Sequence, residues 1–366
     1  MKIAIAGASG FLGSQFLAFL AAQGGDHAVT ALVRRRDAAF EAAFPGVRFA
    51  LCDLRNPWQI DRALAGMETV VNLSGSSAAG DEFDMLIANY HSVVNIFKSA
   101  RAAGVSKIIH ISSIYATVLP ESAYGRSKKM ADEFIRSFSG VRHVIVRPTW
   151  VVSSRPDAQL KRILTMYRFS PVALLPRTAK TKPIHAADFC KIVKHFIEDR
   201  SPENRELDVC GDVEVTLGQF YQALMKNGGK RKLTVIIPGG CIMAGSRVVR
   251  ALFPFMGERI RRFEEVLQCQ LTERIPASND ALRILDKLES PLSISLEFRS
   301  KIKRIIQTAM LILLWIAEYA LFGLKWCWWA SRRIFLKGRR IFLKGRILLL
   351  KCRYQFLIAV CHVLKD

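Results

Sequence analysis

Acidic residues are scarce in this chain. Only 31 Asp and Glu stand against 54 Lys and Arg, a formal net charge of +23. No Cys-x-x-Cys pair occurs among the eight cysteines, and none of them clusters with histidines at metal-ligand spacing. That argues against a zinc ribbon or a dithiol redox motif and leaves reduced, largely buried thiols. No nucleic-acid-binding module is present, and no stacking aromatics interleave with a basic groove, so no nucleic-acid partner is expected. The opening run, Met-Lys-Ile-Ala-Ile-Ala, is too short for the apolar core of a signal peptide and is expected to be a strand.

The basic excess is unevenly spread. Residues 301–366 hold 14 Lys/Arg and 2 Asp/Glu, about half of the whole excess in one-sixth of the chain. Ile305–Leu324 is apolar and close to the length of a membrane span, but Glu318 interrupts it. A single crossing would also carry the basic residues beyond it away from the compartment of the preceding domain, against the preference of basic segments for the cytoplasmic side. The segment is therefore expected to lie in an anionic membrane interface, with Trp315, Trp326, Trp328 and Trp329 at headgroup level. A seven-residue repeat, RIFLKGR at 333–339 and 340–346, follows it. A helix packed on a partner is the competing explanation of this tail. The expected location is the cytoplasmic face of a membrane.

The first 150 residues alternate short apolar runs with helical patterns. Strands are expected at Lys2–Ala6, Val29–Val33, Val47–Leu51, Thr69–Leu73, Lys107–Ile111 and His143–Arg147. Helices are expected at Ser14–Gln23, Ile87–Ala103 and Ser127–Phe138. This alternation predicts an α/β fold, a Rossmann-type doubly wound parallel sheet, with ligands at the carboxyl ends of its strands. Residues 1–150 form the expected dinucleotide-binding domain. Prolines break the pattern after Trp150, and residues 151–300 are expected to form a smaller, partly interleaved substrate lobe ahead of the helical tail at 301–366.

GASGFLG follows the first strand directly. Gly7 suits a tight turn, Gly10 close approach of a pyrophosphate, and Gly13 close packing of helix on strand. Ser9, Phe11 and Leu12 complete the turn and the helix start, whose free N–H groups favour phosphate. At the end of the second strand, where NAD sites usually carry an acid, Val33 is followed by Arg34, Arg35 and Arg36. An arginine fork there favours the 2′-phosphate of NADP(H) over NAD(H), with Arg34 the best placed.

Several further motifs occur in order: C-D-L-R-N at 52–56, N-L-S-G at 72–75, Asn89, I-I-H-I-S-S at 108–113, Y-G-R-S-K at 124–128, V-R-P-T at 146–149 and P-I-H-A-A-D at 183–188. With the glycine loop, this set resembles the extended short-chain dehydrogenase/reductases, the NAD(P)-dependent epimerase/dehydratase group, over about residues 1–290. The resemblance implies cofactor contacts from Asp53, Leu54, Ser74, Gly75, Asn89, Tyr124, Lys128 and Pro148. It also implies a catalytic set of Ser113, Tyr124 and Lys128, with Ser113 on the reacting oxygen, Tyr124 moving the proton and Lys128 also holding the nicotinamide ribose. Tyr124 and Lys128 are four residues apart, so on a helix they share a face, and a cation there is expected to lower the phenol pKa.

The family often has Val-Tyr-Gly where this chain has Ile114-Tyr115-Ala116, and the gap from Ser113 to Tyr124 is short. The short form is similar to atypical members such as hydroxysteroid-type dehydrogenases and the NADPH-binding accessory subunit of respiratory complex I. The expected function is an oxidoreductase or epimerase acting on a small, hydrophobic or lipid-linked molecule. A non-catalytic NADPH-binding accessory subunit is the rival. A homodimer is compatible with either.

Overall fold

The computed structural model describes residues 1–24, 27–77, 82–119, 121–155, 172–177, 180–227 and 233–252, with residues 257, 260–261, 264, 276 and 279–291. The backbone divides into two compact units, Met1–Glu297 and Phe298–Asp366, and every described residue belongs to the first. The apolar stretch at 305–324, the RIFLKGR repeat and the expected membrane partner lie outside the described residues. Among those that are described, no helix is long and apolar enough to cross a membrane.

The centre of the first unit is a seven-stranded parallel sheet. Its strands in chain order are β1 (Lys2–Ala6), β2 (Ala28–Val33), β3 (Arg48–Leu51), β4 (Thr69–Asn72), β5 (Lys107–Ile111), β6 (Arg142–Pro148) and β7 (Arg205–Val209). The order across the sheet is β7-β6-β5-β4-β1-β2-β3. The order in which strands are added therefore reverses between β1 and β4, which pair in parallel with Ala6 opposite Asn72. In doubly wound sheets the carboxyl ends of the strands at such a switch point are where ligands bind.

Both faces of the sheet are covered, so its central strands are apolar without alternation: Ile3 to Ala6 are fully buried. Helices α1 (Phe11–Gln23) and α2 (Ala38–Ala42) follow β1 and β2; α3 (Pro57–Leu64) and α4 (Glu82–Leu86) follow β3 and β4. After a π-helical turn, Ile87–His91, come α5 (Ser92–Ala102), α6 (Ala123–Ser137) and α7 (Ala186–Glu198). Phe16 and Leu17 of α1 share one core with Phe189, Ile192 and Phe196 of α7. Ile60, Ile96, Phe97 and Ile135, from α3, α5 and α6, fill the other.

The expected strands are all present, within a residue or so at each end. Two helices start earlier than the apolar pattern does. α1 begins at Phe11, and α6 begins at Ala123, where the Ser122 side chain accepts the Gly125 N–H. Strand β7 arises beyond residue 150, in a stretch with no clear strand signal, Arg-Glu-Leu-Asp-Val. It pairs with β6, Glu206 opposite Ile145. Its charged side chains are matched by neighbours: Arg147 meets Glu206 at 2.8 Å and Asp208 at 2.7 Å. Edge position and ion pairing, not apolar patterning, make this segment a strand. Outside the sheet, Val172–Arg177 pairs in parallel with Leu233–Pro238.

Candidate active site

At the cofactor end the site is made of bare backbone. Gly7 has φ +76°, and a Cβ there would lie 2.7 Å from the Leu73 carbonyl carbon and the Ser74 nitrogen. The turns leaving β1 and β4 thus touch at the point where the sheet order reverses. A Cβ on Gly13 would lie 2.2 Å from the Gly7 oxygen, so α1 seats against the turn only because that residue has no side chain. Gly10 is the N-cap of α1, and no side chain caps the helix. The N–H groups of Phe11, Leu12 and Gly13 are thereby left to an outside acceptor, an arrangement suited to phosphate. Ser9 is exposed at the loop tip, and Leu12 packs on the core.

The rim beyond β2 and β3 is basic. Arg34 and Arg35 are exposed at the end of β2. Arg36 is engaged, donating to the Phe49 carbonyl and pairing with Glu41 at 2.8 Å. Asp53 accepts from the Arg55 backbone and guanidinium, which hold its carboxyl below the usual carboxylate value; Arg34 adds to the effect. The Leu54 carbonyl accepts from Asn95 at 3.0 Å.

A polar chain shapes the turn after β4. Asn72 accepts from the Ser74 N–H and hydroxyl, at 3.1 and 2.5 Å, and its amide nitrogen lies 3.1 Å from His110 Nδ1. A donating amide makes Nδ1 the acceptor and places the ring proton on Nε2. His110 is fully buried, and burial followed by the Lys128 charge drives its pKa well below 6.5, so the ring is neutral. Gly75 follows with φ +147°, and a Cβ there would lie 2.8 Å from Asn89 Oδ1 and 3.0 Å from Lys128 Nζ. Asn89 sits in the π-helical turn. It accepts from the Ser76 N–H at 2.8 Å and donates to the Ser76 carbonyl and the Ser127 hydroxyl, both at 3.0 Å. Turn, π-turn and α6 are locked together at this one point.

Of the expected catalytic set, Lys128 reaches this point, and Tyr124 lies one turn before it on α6. Ser113 ends the β5 segment, and its hydroxyl accepts the Tyr115 N–H at 3.3 Å. It also lies close enough to the Tyr124 phenol to oppose the rise of its pKa. The Tyr115 and Tyr124 rings meet edge to face, 5.7 Å between centroids. A Cβ on Gly125 would lie 2.5 Å from the Tyr115 carbonyl oxygen, which explains a glycine directly after the tyrosine. Lys128 is 3% exposed and donates to the Ile111 carbonyl at 3.0 Å. Pro148 ends β6, opposite Val209.

The expected depression of the tyrosine pKa is not found. Burial raises Tyr124 to about 12; Tyr115 and Asp132 add to the rise, and Ser113 opposes it. Burial likewise lowers Lys128 to about 8, opposed by Asp132. The desolvation cost that accompanies burial outweighs the attraction that spacing alone suggests. Asn72, His110 and Asp132 are not among the site residues expected from the sequence. Asp132 carried a readable signal, a carboxylate four residues beyond Lys128 in a stretch where Ala131 and Ile135 are buried.

Elsewhere, His185 Nδ1 accepts the Ala187 N–H and so caps α7, a structural role. Lys180 pairs with Glu214 at 2.6 Å. Among the described residues no group of three or more potential metal ligands occurs. Cys52, Cys190 and Cys210 are buried free thiols, held protonated by burial.

Residues 7–167 match the family model described as NAD(P)H-binding. This stretch is similar to NAD(P)H-binding domains, and it lies on a Rossmann-like parallel sheet. A ceramide reductase of Caulobacter vibrioides is 29% identical over 256 residues, 67% of this chain and 77% of that protein. A fatty acid hydroxylase of Mycosarcoma maydis is 24% identical over 218 residues, 55% of this chain and 71% of that protein. Among solved structures, a UDP-glucuronic acid 4-epimerase from Bacillus cereus in complex with NAD superposes with a TM-score of 0.57 at 17% identity, covering 65% of this chain and 86% of that one. By sequence the chain is thus related to reductases, and it shares its fold with NAD-dependent epimerases.

Proposed function

We propose that this protein is an NADP(H)-dependent oxidoreductase that reduces a carbonyl group on a hydrophobic, lipid-like molecule. The observation that carries the reading is Lys128 Nζ close against the bare backbone of Gly75, with Tyr124 one turn before it on α6 and Ser113 acting on the Tyr124 phenol. The bound nicotinamide supplies or accepts a hydride. The protein's part is proton management and orientation. A phenol with a pKa near 12 keeps its proton at neutral pH, so Tyr124 is set to donate to an oxygen that is gaining negative charge. Ser113, close to the phenol, is placed to hydrogen-bond the same oxygen. Lys128, anchored on the Ile111 carbonyl, carries positive charge at the floor of the site. The exposed Arg34 is the proposed partner of a 2′-phosphate, which supports NADP(H) over NAD(H). The lipid-like substrate rests on the names of the ceramide reductase and fatty acid hydroxylase relatives.

Tyr124→Phe tests the catalytic reading. NADPH consumption is followed with a long-chain keto lipid and a quinone as carbonyl probes, alongside NADPH affinity by fluorescence. Turnover is expected to fall by at least about 100-fold, the usual worth of a positioned proton donor, with cofactor affinity unchanged. Undiminished turnover in the variant would leave a cofactor-binding protein whose phenol does no chemistry.

A further inference from the structure

Asp132 has no part in the reading so far, yet it is 1% exposed in the middle of the domain. It sits one turn beyond Lys128 on the same face of α6. Neither of its carboxylate oxygens makes a hydrogen bond, and neither does the nearby Ser112 hydroxyl at the end of β5. Arg147 Nη1 on β6 lies 3.6 Å from Oδ2, but that guanidinium also serves Glu206 and Asp208 at shorter range. A carboxylate so placed is expensive to bury, because its partners replace only part of the water it lost. Burial accordingly pushes its pKa up to about 6, while Ser112, Arg147, Lys128 and Arg136 pull the other way.

Lys128 is the group with something to gain. Its burial favours the neutral amine, and Asp132 is the acid that opposes this. We propose that Asp132 is a positioning residue for the catalytic pair: its buried carboxylate keeps Lys128 charged and so keeps the ammonium donated to the Ile111 carbonyl beside Gly75. The groups facing the carboxylate are Ser112 from β5, Arg147 from β6, and Tyr124, Lys128 and Arg136 from α6 itself. Glu206 of β7 lies behind Arg147 and Arg136. The competing role is a tie between α6 and β6 through Arg147, which would affect stability and leave Lys128 untouched. The inference rests on the catalytic reading for its meaning but not for its test.

The test is a pH titration of the full-length, cofactor-free protein by NMR of carbon-13-labelled lysine, with the Lys128 signal identified by its loss in Lys128→Met. Asp132→Asn is expected to lower the Lys128 midpoint by about 1 pH unit, the effect of removing an opposite charge one helix turn away. Asp132→Glu is expected to restore most of it. An Lys128 midpoint that is the same in wild type and Asp132→Asn overturns the proposal. Should the asparagine variant not fold, the reciprocal measurement decides: labelled-aspartate NMR of Lys128→Met is expected to show the Asp132 midpoint raised, and an unmoved midpoint refutes the coupling. Neither readout requires turnover. Failure of Tyr124→Phe to lose activity would therefore remove the catalytic reading and leave the coupling standing.

Discussion

The two ends of the site are built on opposite principles. At the glycine end the working surface is main chain: Gly7, Gly13 and Gly75 lie where an added Cβ would come within 3 Å of neighbouring atoms. At the tyrosine end the working surface is side chain, and what is tuned is charge: Tyr124 is raised, and Lys128 lowered, by burial. The first end cannot tolerate volume. The second cannot tolerate a change of ionisation. The contrast shows why a dinucleotide fold can keep its cradle while its chemistry varies: shape and proton affinity sit on different elements, joined where Asn89 and Lys128 crowd Gly75.

The hardest way to break the comparison is Gly13→Val. The branched side chain would drive into the Gly7 carbonyl and displace α1 from β1. A destabilisation of more than about 3 kcal/mol and loss of NADPH binding are expected, read by denaturant unfolding and fluorescence titration. Normal binding by a stable valine variant would show that the cradle is not a backbone surface at all.

The charge end has a pH signature. The folded pKa of Lys128 is about 8 against an ordinary 10.5. Between those values the unfolded chain binds more protons than the folded one, so this residue's contribution to stability is lost as pH falls through 8 and regained as pH rises to 10.5. In cofactor-free protein, Lys128→Met abolishes this slope. Its stability relative to wild type is expected to be greater at pH 7 than at pH 10.5 by about 3 kcal/mol, measured by unfolding at each pH. A pH-independent difference would mean the buried amine does not titrate low.

The smallest effect belongs to the rim. Arg34→Ala is expected to weaken NADPH about tenfold and leave NADH unchanged, as suits the loss of one charge-assisted contact. Equal loss for both cofactors would move the arginine from 2′-phosphate recognition to general electrostatics.

Much of the frame was legible from residue order. Uninterrupted apolar runs such as Ile3–Ala6 announce strands buried on both faces, and a glycine triplet after the first of them announces the cradle. The sixth strand's ionic partner β7 was not legible, because its charges are neutralised by Arg147 and Arg136 from other elements. The site was legible as a set of residue types, not as a set of proton affinities. Spacing put Tyr124 and Lys128 on one face and implied a lowered phenol; the packed structure raises it instead.

The sequence by itself determined the strand and helix periods, the places that must lack a Cβ, and the four-residue steps that put Tyr124, Lys128 and Asp132 on a common helix face. Those are local matters, set by backbone geometry and repeat. Only the tertiary structure decided which of these groups lost their water, which found partners, and that Asp132 found none of hydrogen-bonding geometry. Solvation and long-range charge depend on what the fold stacks around a residue, and that information is spread over elements far apart in the chain.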